Sequence, residues 1–201
     1  MVKRLFLCVL LITLSTFFAT AQTDYQSFFE KSMKTNNTGM YVLGSWAIAN
    51  MATGAYGWAK TTGQTKYFHQ MNLFWNTVIL SIAGFALYSN LNTDIASLTQ
   101  QQMLQKHTKT ENLYLINAGL DVLYVGAGFL MKHYAGKKPK RHDLLKGYGN
   151  SVILQGSFLF VFDLILYGIQ RNHRIDFIDN LSLFYQPEFN AVQVALNIPL
   201  N

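Results

Sequence analysis

Apolar residues in this chain gather into blocks of about twenty, and do not alternate at the period of a strand or of a half-buried helix. Four such blocks, residues 40–59, 68–88, 113–131 and 151–169, each approach the length a helix needs to cross about 30 Å of hydrocarbon. Tyr41, Tyr88, Tyr114 and Tyr167 mark one end of these blocks, while Trp58, Tyr67, Tyr134 and Tyr148 mark the other, as interfacial aromatic residues do. The pattern predicts an all-α membrane protein built as a four-helix transmembrane bundle.

A further apolar run, residues 5–18, is shorter, follows Lys3 and Arg4, and leads into Ala19-Thr20-Ala21. Basic start, short apolar stretch and small-x-small site predict a signal peptide over residues 1–21, with the mature chain beginning near Gln22. The remainder divides into an external segment (22–39), the bundle (40–170) and an external C-terminal tail (171–201). Residues 24–34 and 94–105 have the polarity of short surface helices, with Phe28, Phe29, Ile95 and Leu98 free to rest on lipid headgroups. In the tail, Val192, Val194, Leu196 and Ile198 alternate after Pro187, the pattern of a strand able to pair with residues 181–185 as a hairpin.

Composition agrees: half of the 201 residues are hydrophobic and only 13% are charged, against roughly a quarter in soluble domains. The net charge of +6 is unevenly placed. Lys60 and Lys66 lie between the first two blocks, and Lys137, Lys138, Lys140, Arg141 and Lys146 between the last two. Asp24, Glu30, Asp94, Glu111, Asp176, Asp179 and Glu188 all fall on the opposite side. The positive-inside bias therefore predicts a bacterial cytoplasmic membrane protein with both ends of the mature chain external. A basic loop between two spans is what topology demands, and no base-stacking platform accompanies it, so nucleic acid is not an expected partner. The expected partners are the lipid bilayer and either a second membrane protein or further copies of the chain.

Asn76-Thr77-Val78-Ile79-Leu80 matches Asn150-Ser151-Val152-Ile153-Leu154, and Asn50, Gly57 and Trp58 share their spacing with Asp121, Gly128 and Phe129. Two tandem helical hairpins and shared apolar composition both account for this. Ser45, Ala49, Thr53 and Gly57 recur every four residues, a smooth ridge that predicts close helix packing by the first span.

Cys8, the only cysteine, leaves with the signal peptide, and no HExxH, GxSxG or phosphate-binding loop is present. His69 and His133, at the inner ends of two spans, are the one pair at matched depth for a haem or metal, and interfacial polarity is much the commoner explanation for them. No catalytic, cofactor or metal residue is assigned. The informative residues are two carboxyls within the spans, Asp121 and Asp163, because an ionisable group in hydrocarbon costs roughly 2.5–3.5 kcal/mol even on a lenient scale. At 1.5 Å per residue they sit at nearly the same depth, roughly 12 Å and 10 Å from the outer ends of their blocks. Asn50 falls close to that layer, Asn117 one turn above it, Asn76 and Ser81 beside it or deeper, and Gln155 deeper still. Together they form a candidate intramembrane polar site.

MYVLGSWAIANMATGAYGW, YFHQMNLFWNTVIL, NAGLDVLYVGAGFL and LQGSFLFVFDLILYG resemble a bacterial family of uncharacterised four-span membrane proteins. The resemblance implies fold and location and brings no activity. Two functions stay open: a non-enzymatic bundle or partner-interaction protein, and a small-solute or proton-handling protein built on Asp121 and Asp163.

Overall fold

The computed structural model describes the backbone of residues 2–180, 183–186 and 191–194, and the side chains of residues 25–179. Four antiparallel helices carry the described chain: α1 (Val2–Lys60), α2 (Gly63–Leu91), α3 (Gln100–Ala135) and α4 (His142–Asn180). The signal-peptide reading of residues 1–21 falls outside the residues whose side chains are described. In the tail, backbone pairing joins β1 (Leu183–Gln186) to β2 (Ala191–Val194) antiparallel, with Leu183 opposite Val194.

Three helices, Gly63–Leu91, Gln100–Ala135 and Pro139–Asp179, are long and apolar enough to cross a membrane. The expectation of four such helices is thus met only in part. The described part of α1 falls short because Gly44, Asn50, Thr53, Gly54 and Gly57 dilute its apolar stretch. Large apolar side chains still stand outward on every helix, among them Ile48, Phe85, Leu123 and Ile165, each more than half exposed. A soluble surface avoids such a girdle.

Local chemistry sets the helix ends. Thr62 is extended and Gly63 takes a φ of +57°, a left-handed conformation glycine adopts at no steric cost, so α1 and α2 are joined by a very short turn. At α3 the Thr99 hydroxyl accepts from the Gln102 N–H (3.2 Å) while the Gln102 side chain accepts from the Thr99 N–H (2.9 Å), a capping box.

The helices pair as α1 with α2 and α3 with α4, and α2 joins the two pairs by packing on α4. α1 meets α2 through Gly54 and Gly57, where a Cβ would stand 2.9 Å from the His69 carbonyl and 2.2 Å from the His69 ring. The predicted ridge is therefore corrected: Gly57 is buried, but Ser45, Ala49 and Thr53 face outward, and the packed stripe is Leu43, Ala47, Gly54 and Gly57. Residue size alone does not choose a face, since small residues are tolerated on either side of a helix in lipid.

The surface-helix expectation is also corrected. Residues 24–34 continue α1, and residues 100–105 begin α3, so both helices run past their apolar blocks without turning aside. Phe28 and Phe29 are buried with Met103, and Ile95, Leu98 and Phe177 pack against them. A second core thus sits at the end of the bundle that carries Tyr25 and Asp179, here called the termini end. The main core, built from Leu43, Ala47, Ile79, Tyr114, Leu159 and Phe162, lies below it. Beyond that comes the basic end, where both lysine-bearing loops emerge.

Candidate functional site

Along α3 the inward positions are Met103, His107, Glu111, Tyr114, Ala118 and Asp121, a three-four spacing that holds one face across the whole helix. Along α4 the facing stripe includes Gln155, Leu159, Phe162, Asp163 and Gln170. These stripes bring Asp121 (3% exposed) and Asp163 (6% exposed) to the wall of one cavity.

The pair borders a cavity of about 370 Å³ whose walls come from all four helices, with Met40 and Leu43 from α1, Ile79 and Ile82 from α2, and Leu159 and Phe162 from α4. α2 and α3 are not among the helix pairs that pack together, and the cavity lies between them. Its lining residues Val78, Ile82 and Leu120 are exposed, so it opens sideways. At one level Trp75 closes the gap by meeting Tyr124 edge-on, with centroids 5.0 Å apart. Trp75 Nε1 and Asp121 Oδ2 are both buried without a hydrogen-bond partner, one a donor and the other an acceptor.

The structure divides the six candidate residues. Asp121, Asp163 and Asn117 share the cavity, Asn117 from an exposed position at its edge. Asn50 and Asn76 belong to a separate amide cluster, roughly 12 Å nearer the basic end, since Gln155 precedes Asp163 by eight residues. There Trp46 Nε1 donates to Gln155 Oε1 (2.9 Å), Gln155 Nε2 donates to the side-chain oxygens of Asn50 and Asn72, and Asn72 donates to Asn50 Oδ1 (2.9 Å). Asn76 donates to the Asn72 carbonyl (2.8 Å), while its own Oδ1 is buried and unpaired, as is Ser151 Oγ one turn before Gln155 on α4. Ser81 does not belong to the site: it faces outward and donates to the Thr77 carbonyl (2.9 Å). His69 and His133 do not meet as a pair either, since His69 packs on Gly57 of α1 and His133 lies exposed beside Tyr134.

Two further polar contacts lie between the Asp pair and the termini end. Tyr114 is buried, and its hydroxyl donates to Asn36 Oδ1. The next residue, Asn37, accepts from Asn90 (2.8 Å).

Sequence reasoning missed a second polar network at the termini end. His107 Nδ1 bonds Ser32 Oγ (2.7 Å) and its Nε2 bonds the Gln170 carbonyl (3.1 Å). Ser32 Oγ donates to Gln170 Oε1 (3.0 Å), and Gln170 Nε2 returns a bond to the Ser32 carbonyl (3.0 Å). One turn along α3, Glu111 takes a bidentate contact from Arg174 (2.7 and 3.0 Å). A serine, a histidine and a glutamate in this order suggest a nucleophile relay, but Ser32 is 3% exposed and its proton is committed to Gln170. The network ties α1, α3 and α4 together. Its signal in the sequence was the i, i+4 spacing of His107 and Glu111 on the stripe that ends at Asp121.

No curated protein and no solved structure matches the chain. A family model described as a family of unknown function (DUF6992) matches residues 42–164, a stretch that takes in the amide cluster and both carboxyls and stops short of Gln170 and Arg174. With more than half of its length so matched, the chain belongs to the DUF6992 family.

Proposed function

We propose that this is a non-enzymatic integral membrane protein of the bacterial cytoplasmic membrane that handles protons at the Asp121–Asp163 pair. One observation carries the reading: two buried carboxyls, costly in hydrocarbon, line one cavity, with Asp121 Oδ2 buried there without a hydrogen-bond partner. Register alone would be served by a fully bonded pair. The Tyr114–Asn36 contact and the Asn37–Asn90 contact supply the beginnings of a relay outward. A small polar solute bound between Trp75 Nε1 and Asp121 Oδ2 is the second reading, favoured by that unpaired donor and acceptor.

In this reading α1 is a fourth span, because it lies antiparallel along α2 and a crossing by α2 carries α1 with it. Both ends of the mature chain are then external and the two basic loops cytoplasmic. Reporter fusions test this: one inserted after Lys140 is expected to be active only in the cytoplasm, one after Asp179 only outside. The reverse pattern would refute the orientation.

Proton handling is tested in proteoliposomes under an imposed pH gradient. The wild type is expected to collapse the gradient faster than empty vesicles, Asp121→Asn/Asp163→Asn to match empty vesicles, and Tyr114→Phe to fall between. Equal leak from the wild type and the double Asn variant would overturn the reading. A double-mutant cycle on thermal stability accompanies it: carboxyls in contact should show a coupling of roughly 0.5–3 kcal/mol, and strict additivity would mean no shared site.

A further inference from the structure

The basic end carries a cavity that topology does not require. Of about 950 Å³, it lies where α3 ends and α4 begins, with an apolar wall of Leu130, Met131 and Leu145. Four cations line its mouth: Lys137, Lys138, Lys140 and Arg141. No acidic side chain lines it. The 3-10 turn Pro139–Arg141 sets two of these cations side by side, and Lys137 Nζ lies 5.7 Å from the Tyr134 ring centre. None of the ion pairs among the described residues uses any of the four. Asp143, the nearest acid in sequence, is engaged by His142 at 3.1 Å and lines a neighbouring cavity that shares Lys140 and Arg141 with this one, but it forms an ion pair with neither.

We infer that this cavity is a binding site for an anionic phospholipid of the same membrane leaflet. Orientation by positive charge needs lysines in a loop and nothing more, so a concave site with an apolar wall on the helix side and unpaired cations at the rim calls for an amphipathic anion. The wall continues the outward apolar face of α3, where Phe129 and Leu130 are more than half exposed, and takes the upper part of an acyl chain. The rim takes the phosphate, with Arg141 able to hold two of its oxygens. A free phosphate offers the rim its charge but leaves the wall uncovered. The site is independent of the Asp pair, and neither proposal stands or falls with the other.

The test uses the full chain in neutral detergent and follows the thermal midpoint as phosphatidylglycerol, phosphatidylcholine or inorganic phosphate is added, since a ligand of the folded state raises that midpoint. Phosphatidylglycerol is expected to raise it with saturation, and the other two to leave it unchanged. At about fivefold per cation, Lys140→Gln/Arg141→Gln should raise the half-saturating phosphatidylglycerol concentration about 25-fold. Both residues are exposed, and Lys132, Lys137, Lys138 and Lys146 still set orientation. Lys60→Gln/Lys66→Gln removes equal charge from the same end outside the cavity, and should change that concentration less than about threefold. Equal losses in the two variants would reduce the effect to diffuse charge and overturn the site. Stabilisation by inorganic phosphate alone, or equally by phosphatidylcholine, would overturn the lipid assignment.

Discussion

Replacing Arg174 by Met is expected to destabilise the protein by roughly 3–5 kcal/mol, and replacing its partner Glu111 by Gln to cost less than half as much. The asymmetry follows from where water can reach. The Glu111 side chain is 3% exposed and that of Arg174 is 29% exposed, so losing the guanidinium strands a carboxylate inside the termini-end core, while losing the carboxylate leaves a cation that solvent still covers in part. His107 cannot stand in for Arg174, because its Nε2 is 3.8 Å from Glu111 and already bonded to the Gln170 carbonyl. Unfolding in detergent followed by helical signal measures both variants. The double variant Arg174→Met/Glu111→Gln should recover most of the loss, since it buries no unpaired charge. Equal destabilisation by the two single variants would show that packing, not the stranded charge, sets the cost.

Gly147→Ala is expected to cost roughly 3 kcal/mol, although it adds one methyl group to a helix and alanine is the better helix former. A Cβ at Gly147 would stand 2.4 Å from the Gln64 carbonyl, 2.7 Å from Tyr67 Cβ and 2.8 Å from the Phe68 nitrogen. Two of these atoms are backbone, so relief requires moving the start of α2 away from α4. That contact is the main join between the two helix pairs, and Tyr148 beside it donates to Gln70 (2.8 Å). Gly84→Ala is the control: nothing lies within 4 Å of its Cβ position, and the change should be neutral or stabilising by up to about 1 kcal/mol. Comparable losses from the two substitutions would mean that the α2–α4 approach does not limit stability.

Depth was legible in the sequence and direction was not. Counting residues from the block ends placed Asp121 and Asp163 in one layer, and they line one cavity there. The same count placed Ser81 near that layer, but each residue turns the helix by about 100° and Ser81 points outward. Asn50 and Asn76 were grouped with the carboxyls because counting within each block does not show how the blocks are set against one another, and the two clusters lie roughly 12 Å apart along the bundle. The division between span and surface helix was drawn where hydropathy changed, near Leu113. The inward stripe crosses that line unbroken from Met103 to Asp121, and following it would have recovered α3 as one helix. The α2–α4 join had no sequence signal beyond a glycine, and glycine occurs as readily at Gly84 and Gly126, where nothing approaches.

The bonds between Ser32 and Gln170 span 138 residues, which fixes when in the life of the chain they can form. Translation delivers α1 first, and Gln170 follows only after the third helix and most of the fourth have been made. Until then Ser32, His107 and Glu111 have to keep their hydrogen bonds with water, which the termini end can supply and the interior of the bundle cannot. The amide cluster is staged differently, since Asn50 and Asn72 are 22 residues apart and can join as soon as α2 is complete. Assembly therefore runs from a short-range bond inside to a long-range clasp outside, and that clasp closes only on a chain whose last helix is in place.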